Sequence, residues 1–386
     1  MISRLRFRLS LRTLFVLTTL LCVWLGLAFA SARRQQRVVE AIERDGGSVS
    51  YAHDFDFATN QWREGEPPGP EWLRSLLGRH FFDTVINVSF NRYGGNNAGS
   101  RLVDIAPLLS GLPRLHELSL WGCDLKSGEV GALVVHANPE KFACGKMEID
   151  DRSTERMATA GRLREIGLNE VIISSQGVAN FKHLPNLEVF WLSCRHMDYA
   201  ANGMPIWDRE KYALRDDKLA AFLEFPRLRR LSLTWTQISD EGVKTLSGLT
   251  QLESFSISSP RISDASTPFI VKLKNITWLG IAGTEISDAT LHQLSDLKKL
   301  AGLRLSAAVT NDGLRSIAEL DQLETLDLGG KQINDDGLVH LQTMTNLKRL
   351  DVSGTAVTTD GPAVNALKKA LPNCSVRQWY PSPSFR

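Results

Sequence analysis

The chain has few cysteines, almost no net charge and none of the short motifs that carry catalysis. Its five cysteines, Cys22, Cys123, Cys144, Cys194 and Cys374, include no C-x-x-C pair, which argues against a zinc site. Lys and Arg number 45 against 43 Asp and Glu, for a formal charge of +2, so there is no bulk basic field to hold nucleic acid. No charge run or low-complexity tract stands out beyond arginines near the N-terminus. G-x-S-x-G, H-E-x-x-H and G-x-x-x-x-G-K-[ST] are all missing, and with them the usual sequence signs of a hydrolase elbow, a zincin helix or a phosphate loop. The glycine-rich segment Tyr93–Ser100 lacks the Lys-Ser/Thr of a phosphate cradle and reads as a long loop. His53, Asp54 and Asp56 are close enough in sequence to share a metal, but on a short surface stretch they read as solvated. No catalytic, cofactor-binding or metal-ligating residue is assigned, and the chain is not expected to be an enzyme.

What the sequence does have is a period. Apolar residues recur at the first, fourth and sixth positions of a unit that begins at Leu228, Leu252, Ile276, Leu300, Leu323 and Leu347. The triplets are Leu228-Leu231-Leu233, Leu252-Phe255-Ile257, Ile276-Leu279-Ile281, Leu300-Leu303-Leu305, Leu323-Leu326-Leu328 and Leu347-Leu350-Val352. The same frame reaches back to Leu187, Leu163 and Leu115, through a degenerate slot holding Phe142, Cys144 and Ile149, to a first strand at Val85-Val88-Phe90. Forwards it ends in a partial unit at Leu371, with Cys374 and Val376 in frame. About ten units result, enough to bury a continuous core. Although 386 residues suggest two or three domains by size, repeats make one elongated domain.

Each unit reads mechanically. The alternating start is a short strand with its leucines inward. After a turn comes a second apolar anchor, Ile238, Ile262, Ile286, Val309, Ile333 or Val357. Then comes a helix start: Ser239-Asp240, Ser263-Asp264, Ser287-Asp288, Asn311-Asp312, Asn334-Asp335 or Thr358-Thr359-Asp360. Such side chains accept hydrogen bonds from free N–H groups at a helix N-terminus, and Asp suits the helix dipole. A helix of two to three turns follows, as from Val243 to Leu249. Cys123, Thr236, Thr284 and Thr355 recur at a position where the side chain turns inward and bonds neighbouring backbone. Cys144 and Cys374 occupy inward slots, so these thiols read as buried and free.

On these residues the chain resembles the leucine-rich-repeat superfamily, most closely its L-x-x-L-x-L-x-x-T-x-I-x-D-x-G-L variety. The likeness is clearest over Leu228–Val243 and Ile276–Leu291 and extends over roughly residues 83–379. The N-terminal arrangement resembles bacterial membrane-anchored proteins of this type. The resemblance implies an α/β solenoid, an arc that recognises other macromolecules. The superfamily shares no catalytic residues, so none is carried over. The pattern is broken at residues 139–149 and within the unit starting at Leu187.

Thr13 to Ala32 carries no charge, and twenty helical residues span roughly the 30 Å hydrocarbon core of a bilayer. Arg4, Arg6, Arg8 and Arg12 precede the run, and Arg33, Arg34 and Arg37 follow it. This favours a cytoplasmic N-terminus and repeats on the extracytoplasmic side. A cleaved signal peptide is the rival, because Ala28-Phe29-Ala30 resembles a cleavage site. Residues 33–44 read as a separate helix stopped by Gly46-Gly47, followed by a strand at Val49 and Tyr51 and a helix from Glu71 to Gly78. The expected organisation is a basic flank over 1–12, a transmembrane helix over 13–32, and a helix-strand-helix cap over 33–82. Repeats then fill 83–370, with an insertion near 198–213, and a C-terminal cap and tail fill 371–386.

Alternate strand residues face the concave side, and most are small or polar. The exceptions are Trp121, Trp191 and Trp278 with Arg230, Arg304 and Arg349. Trp and Arg dominate interface hot spots; equally, such rings shield neighbouring strands. The insertion adds Trp207 and Tyr212 to the candidates. The expected partner is a protein, with a glycan second, and the membrane through the N-terminal helix. The alternatives are a structural envelope protein forming lateral arrays and an intracellular adaptor.

Overall fold

Apolar side chains at three positions of a 24-residue unit cannot be buried by that unit alone, so neighbouring units bury them together. The computed structural model describes residues 11–56, 59, 61–63, 65–91, 102–194, 198–199, 205–206 and 214–378. Its inward triplets lie in one continuous core, from Val85 to Cys374. Among the described residues one sheet of 13 strands runs the length of the molecule. At its N-terminal edge β1 (Gly47–Tyr51) pairs antiparallel with β2 (Val85–Asn91). There follow, all parallel, β3 (Glu117–Trp121), β4 (Lys141–Ile149), β5 (Glu165–Ile173), β6 (Val189–Ser193), β7 (Arg230–Thr234) and β8 (Ser254–Ile257). The row ends with β9 (Trp278–Gly280), β10 (Gly302–Arg304), β11 (Thr325–Asp327), β12 (Arg349–Asp351) and β13 (Ser375–Arg377).

The degenerate slot is a full repeat. Phe142 of β4 stands between Leu118 and Ile166, and Cys144 between Leu120 and Leu168. The closing unit runs two residues late, so Val376 faces Leu350 and not Val352. The unit starting at Leu300 is one residue short, which carries Ser306 off the concave face where strand counting puts it. It is buried and donates to the Ile286 carbonyl at 2.6 Å. Thr284 and Thr355 are also buried, but donate within their own units, to Ile281 and Val352 at 2.7 and 2.6 Å.

The convex side carries short helices such as Asp240–Leu246 and the 3-10 helix Asp335–Thr343. Few residues remain after strand and turn, and a 3-10 helix rises about 2.0 Å per residue against 1.5 Å, spanning the unit with fewer. At their N-termini the Ser-Asp pairs divide their work. Ser287 and Thr310 cap their own helices, accepting from Ala289 and Asp312. The aspartates reach to the next unit. Asp240 accepts from Ser263 N and Oγ, both at 2.8 Å, and Asp264 from Ser287 N and Oγ at 2.9 and 2.7 Å. Asp216 and Asp288 do the same with Ser239 and Thr310. The capping role expected of these carboxylates is held instead by the hydroxyls of Ser263, Ser287 and Thr310, while Ser239 makes no cap bond.

The N-terminal helix and the following segment, expected as two elements, are one helix, α1 (Leu11–Arg44). No Gly or Pro lies between Ala28 and Arg44 to break it, and it stops at Gly46, whose positive φ of 75° suits glycine alone. Its 34 residues span roughly 51 Å. The C-terminal part buries Ala32, Gln35, Val38, Val39 and Ile42 against the first strands. Gln35 fixes it in place: Nε2 donates to the Asp83 carbonyl at 2.8 Å, and Oε1 accepts from Val85 N at 3.3 Å. The cap adds α2 (Glu71–Leu77) and a short hairpin of 55–56 with 61–62. Within the insertion 198–199 pairs antiparallel with 205–206, and Leu214 is buried where the repeat resumes.

Candidate interaction surface

Register decides which outward side chains meet on the concave face. One row across the strands reads Glu117, Lys141, Glu165, Val189, Arg230, Ser254, Trp278, Gly302, Thr325, Arg349, Ser375. The adjacent row reads Ser119, Ala143, Gly167, Trp191, Ser232, Ser256, Gly280, Arg304, Asp327, Asp351, Arg377.

The three tryptophans share one device. Trp121 faces Gly145, Trp191 faces Gly167 and Trp278 faces Gly302 on the neighbouring strand, and a Cβ on any of these glycines would overlap the indole. Each half-buried ring therefore lies across bare backbone, covering strand positions that glycine otherwise leaves weak. The shielding reading describes all three. Trp191 leans towards β5 and Trp278 towards β10, away from each other. Between them Ser232, Ser254 and Ser256 form a half-buried floor, with Gly280 buried beside Ser256. Trp191 Nε1 also donates to Glu165 at 3.4 Å, and Glu165 pairs with Lys141 at 3.3 Å.

The arginines differ in how far they are neutralised. Arg304 donates through Nε and Nη2 to Asp327 at 2.9 and 2.7 Å. Arg349 turns to the neutral Thr325 hydroxyl at 3.3 and 3.1 Å. Arg230 stands exposed beside the serine floor. Trp278 and Arg349 come together, with Thr325, Asp327, Leu350, Asp351 and Arg377, around a hollow of about 200 Å³. Arg304 borders it through Asp327. Trp191 stands three strands away on β6 and Trp121 further along on β3, and Trp207 and Tyr212 fall outside the described residues. Arg377 was not among the candidates read from sequence; continuing the concave count through the closing unit would have found it.

The His53 cluster has a different composition from the one its sequence suggests. His53 pairs through Nδ1 with buried Asp83 and through Nε2 with Asp54 at 3.0 Å. Among the described residues no group of three or more His, Cys, Asp or Glu side chains could hold a metal ion. Beside it, burial first and then the neighbouring Arg79 charge push the His80 pKa down, and burial pushes the Tyr51 pKa up. These groups brace the cap.

Residues 227–247 match the family described as Leucine Rich repeat, within a sheet whose strands recur with one period after them and, beyond the insertion, before them. This is a leucine-rich-repeat solenoid. No curated protein matches the chain. Among solved structures the leucine-rich-repeat arc is similar to an internalin, InlF, from Listeria monocytogenes, at 17% identity over 71% of this chain and 82% of that one, with a TM-score of 0.41. It is also similar to internalin C2 of the same organism, at 18% identity over 61% and 84%, with a TM-score of 0.34. Ahead of the leucine-rich repeats, α1 is long and apolar enough to cross a membrane, with its most apolar stretch unburied.

Proposed function

We propose that the protein is a non-catalytic recognition module, anchored in the membrane by α1, whose concave face binds an acidic segment of a partner protein. The hollow beside Trp278 carries this reading. There Arg349 is held by a hydroxyl, Arg377 is exposed, and an indole offers a flat apolar wall. A guanidinium engaged by a neutral hydroxyl is suited to bidentate capture of a carboxylate from outside. The lining itself balances Arg349 and Arg377 against Asp327 and Asp351; with Asp327 already joined to Arg304 outside it, one cation is left over. Aromatic and arginine anchors at the centre of a patch are what interface hot spots are made of. The four arginines before the apolar run and three after it favour repeats outside the cytoplasm.

A lateral array has less support. Among the described residues the exposed large apolar side chains of the repeats are Leu108, Leu223 and Val339, on the helices of units well apart in the row, and Trp235 in a turn; single exposed residues make no interface.

The test is a photo-crosslinking residue placed at Thr325 in the full-length chain in native membranes, with a second at Lys272 on the convex side. Adducts should form from Thr325, weaken strongly with Arg349→Glu and Trp278→Ala, and be lacking at Lys272. Equal adducts from both positions, indifferent to Arg349, would count against the concave face. A reporter active only after export, fused behind Arg386, should be active; a silent one puts the repeats in the cytoplasm and favours the adaptor.

A further inference from the structure

We infer that the cap makes a second contact with the bilayer: α2 and the turn after it sit in the membrane interface beside α1 and fix the tilt of the solenoid. This rests on the anchored reading of α1 and deepens it.

The uncharged run ends at Ala32, yet the face of α1 that packs on the protein begins earlier. Leu25, Ala28 and Phe29 are already half-buried, in line with Ala32, Gln35 and Val39 on the same side of the helix. Leu25 precedes Ala32 by seven residues, about 10 Å along the axis. Phe29 meets the ring of Phe81 with centroids 5.0 Å apart. If Thr13–Ala32 spans the hydrocarbon, Phe81 stands at or below the level where the hydrocarbon ends, and the cap comes with it.

What the cap presents there suits an interface. Phe81 stacks edge-on against Phe82 at 5.1 Å. Directly before the turn Arg79–Phe81, α2 carries Trp72 and Leu76 at 68% and 72% exposure, a level that needs a reason for an indole and a leucine one turn apart. Residues 71–82 hold Arg74 and Arg79 against the single acid Glu71, and Arg33 and Arg37 are exposed just past the run. An apolar face of Trp and Leu with arginines beside it is the make-up of a helix lying in the headgroup region, where indole is favoured and guanidinium meets phosphate. The occupant of this face is therefore lipid, continuous with the lipid around α1.

The test uses the full-length chain in phosphatidylcholine vesicles brominated either near the headgroups or at mid-chain, reading tryptophan quenching. Trp24 lies within the apolar run and reports on the anchor; Trp72 reports on α2. Mid-chain bromine should quench, and Trp24→Phe should remove that quenching. Bromine near the headgroups should quench too, and Trp72→Phe should remove most of it while Trp24→Phe leaves it. If Trp72→Phe leaves shallow quenching unchanged while Trp24 is still quenched at depth, the anchor stands and the α2 contact is wrong. Failure of deep quenching at Trp24 removes the anchor and this contact with it. Self-association that depends on Trp72 and Leu76, without shallow quenching, assigns the face to a second copy and overturns the proposal.

Discussion

A carboxylate that serves the neighbouring unit explains a residue the repeat otherwise leaves unexplained, the glycine two positions after Asp. A Cβ on Gly242 would overlap Asp216 Oδ1, one on Gly313 would overlap Asp288 Oδ1, and one on Gly337 would overlap Asn311 Oδ1. Lys218 stands at this position in the unit with the insertion, and in two other units the glycine gives way to a hydroxyl donor. Ser266 donates to Asp240, and Thr290 to Asp264 at 2.7 Å. Gly313→Ala should therefore cost about 1–3 kcal/mol by overpacking, read as a lower urea midpoint at unchanged slope; a neutral Gly313→Ala would mean the bridge yields freely. Asp264→Ala removes the acceptor of three hydrogen bonds, and charged acceptors of this kind contribute about 1.5–3 kcal/mol each at most when buried. As Asp264 is only partly buried, a total loss of about 1–3 kcal/mol is expected. The same groups set an acid limit. Burial alone would raise the pKa of Asp150, but hydrogen bonds from Ser127, Ser153 and Gly128 outweigh it and hold the group at about 2, from an ordinary 3.8. Asp240 and Asp264 are lowered in the same way by their serine and threonine donors. With folded pKa values below unfolded ones, this stability is complete above about pH 4 and drains as pH falls towards 2. Thermal melts between pH 5 and 2 should fall steeply in the parent and less steeply in Asp150→Asn.

Among the elements, strands were legible and their neighbours were not. An inward leucine is fixed by burial, so a period marks the strands of the repeats, even the slot where Phe142 and Cys144 stand for leucine. The seam between α1 and the cap is invisible to composition, because the change from apolar run to Arg33 is a change of solvent, while helix geometry passes through it unbroken. Nor could the sequence reveal that Trp278 covers Gly302, since the two are 24 residues apart and meet only through register. The sites follow the same division. The concave positions of Trp278 and Arg349 could be counted from the frame, whereas their convergence with Arg377 depended on the two-residue shift of the closing unit. At the other end Gln35 is the pin between α1 and β2. Gln35→Leu leaves the Val85 N–H and Asp83 carbonyl without these partners, a cost of about 1–3 kcal/mol for each buried group. In a solenoid each unit feels mainly its neighbours. Faster amide exchange is therefore expected in β1, β2 and residues 33–44, with little change beyond β7. Uniform acceleration along the sheet would mean that the cap and the distant repeats unfold together.

For the whole molecule, cooperativity depends on each junction being strong enough to pass stability on, and one junction is built unlike the rest. From Asp216 to Thr358 every unit is tied to the next by a carboxylate or amide bridge on the convex side. Asp150 and Asp151 serve that purpose towards the N-terminus, through Ser127 and Ser174. Where the unit with the insertion begins, the leucine core gives way to phenylalanine. Phe181, Phe190, Phe222 and Phe225 are all buried, with centroids 5.3 Å apart between Phe190 and Phe222 and 6.0 Å between Phe181 and Phe190. Aromatic rings bury more area than leucine and gain from edge-on contact, so this cluster carries the coupling across the longest interruption of the repeat. Phe222→Ala should cost about 3–5 kcal/mol. Its effect should differ in kind from that of an equally costly change elsewhere, such as Leu326→Ala in β11. If the cluster joins the two halves, Phe222→Ala splits urea unfolding into two steps with smaller slopes, one half melting before the other, because nearest-neighbour coupling has failed at its centre. Leu326→Ala should lower the midpoint with a closer to single transition. Two steps in both variants would place the weak junction elsewhere, and a single step in both would mean that the strand ladder from β6 to β7 suffices to hold the arc together.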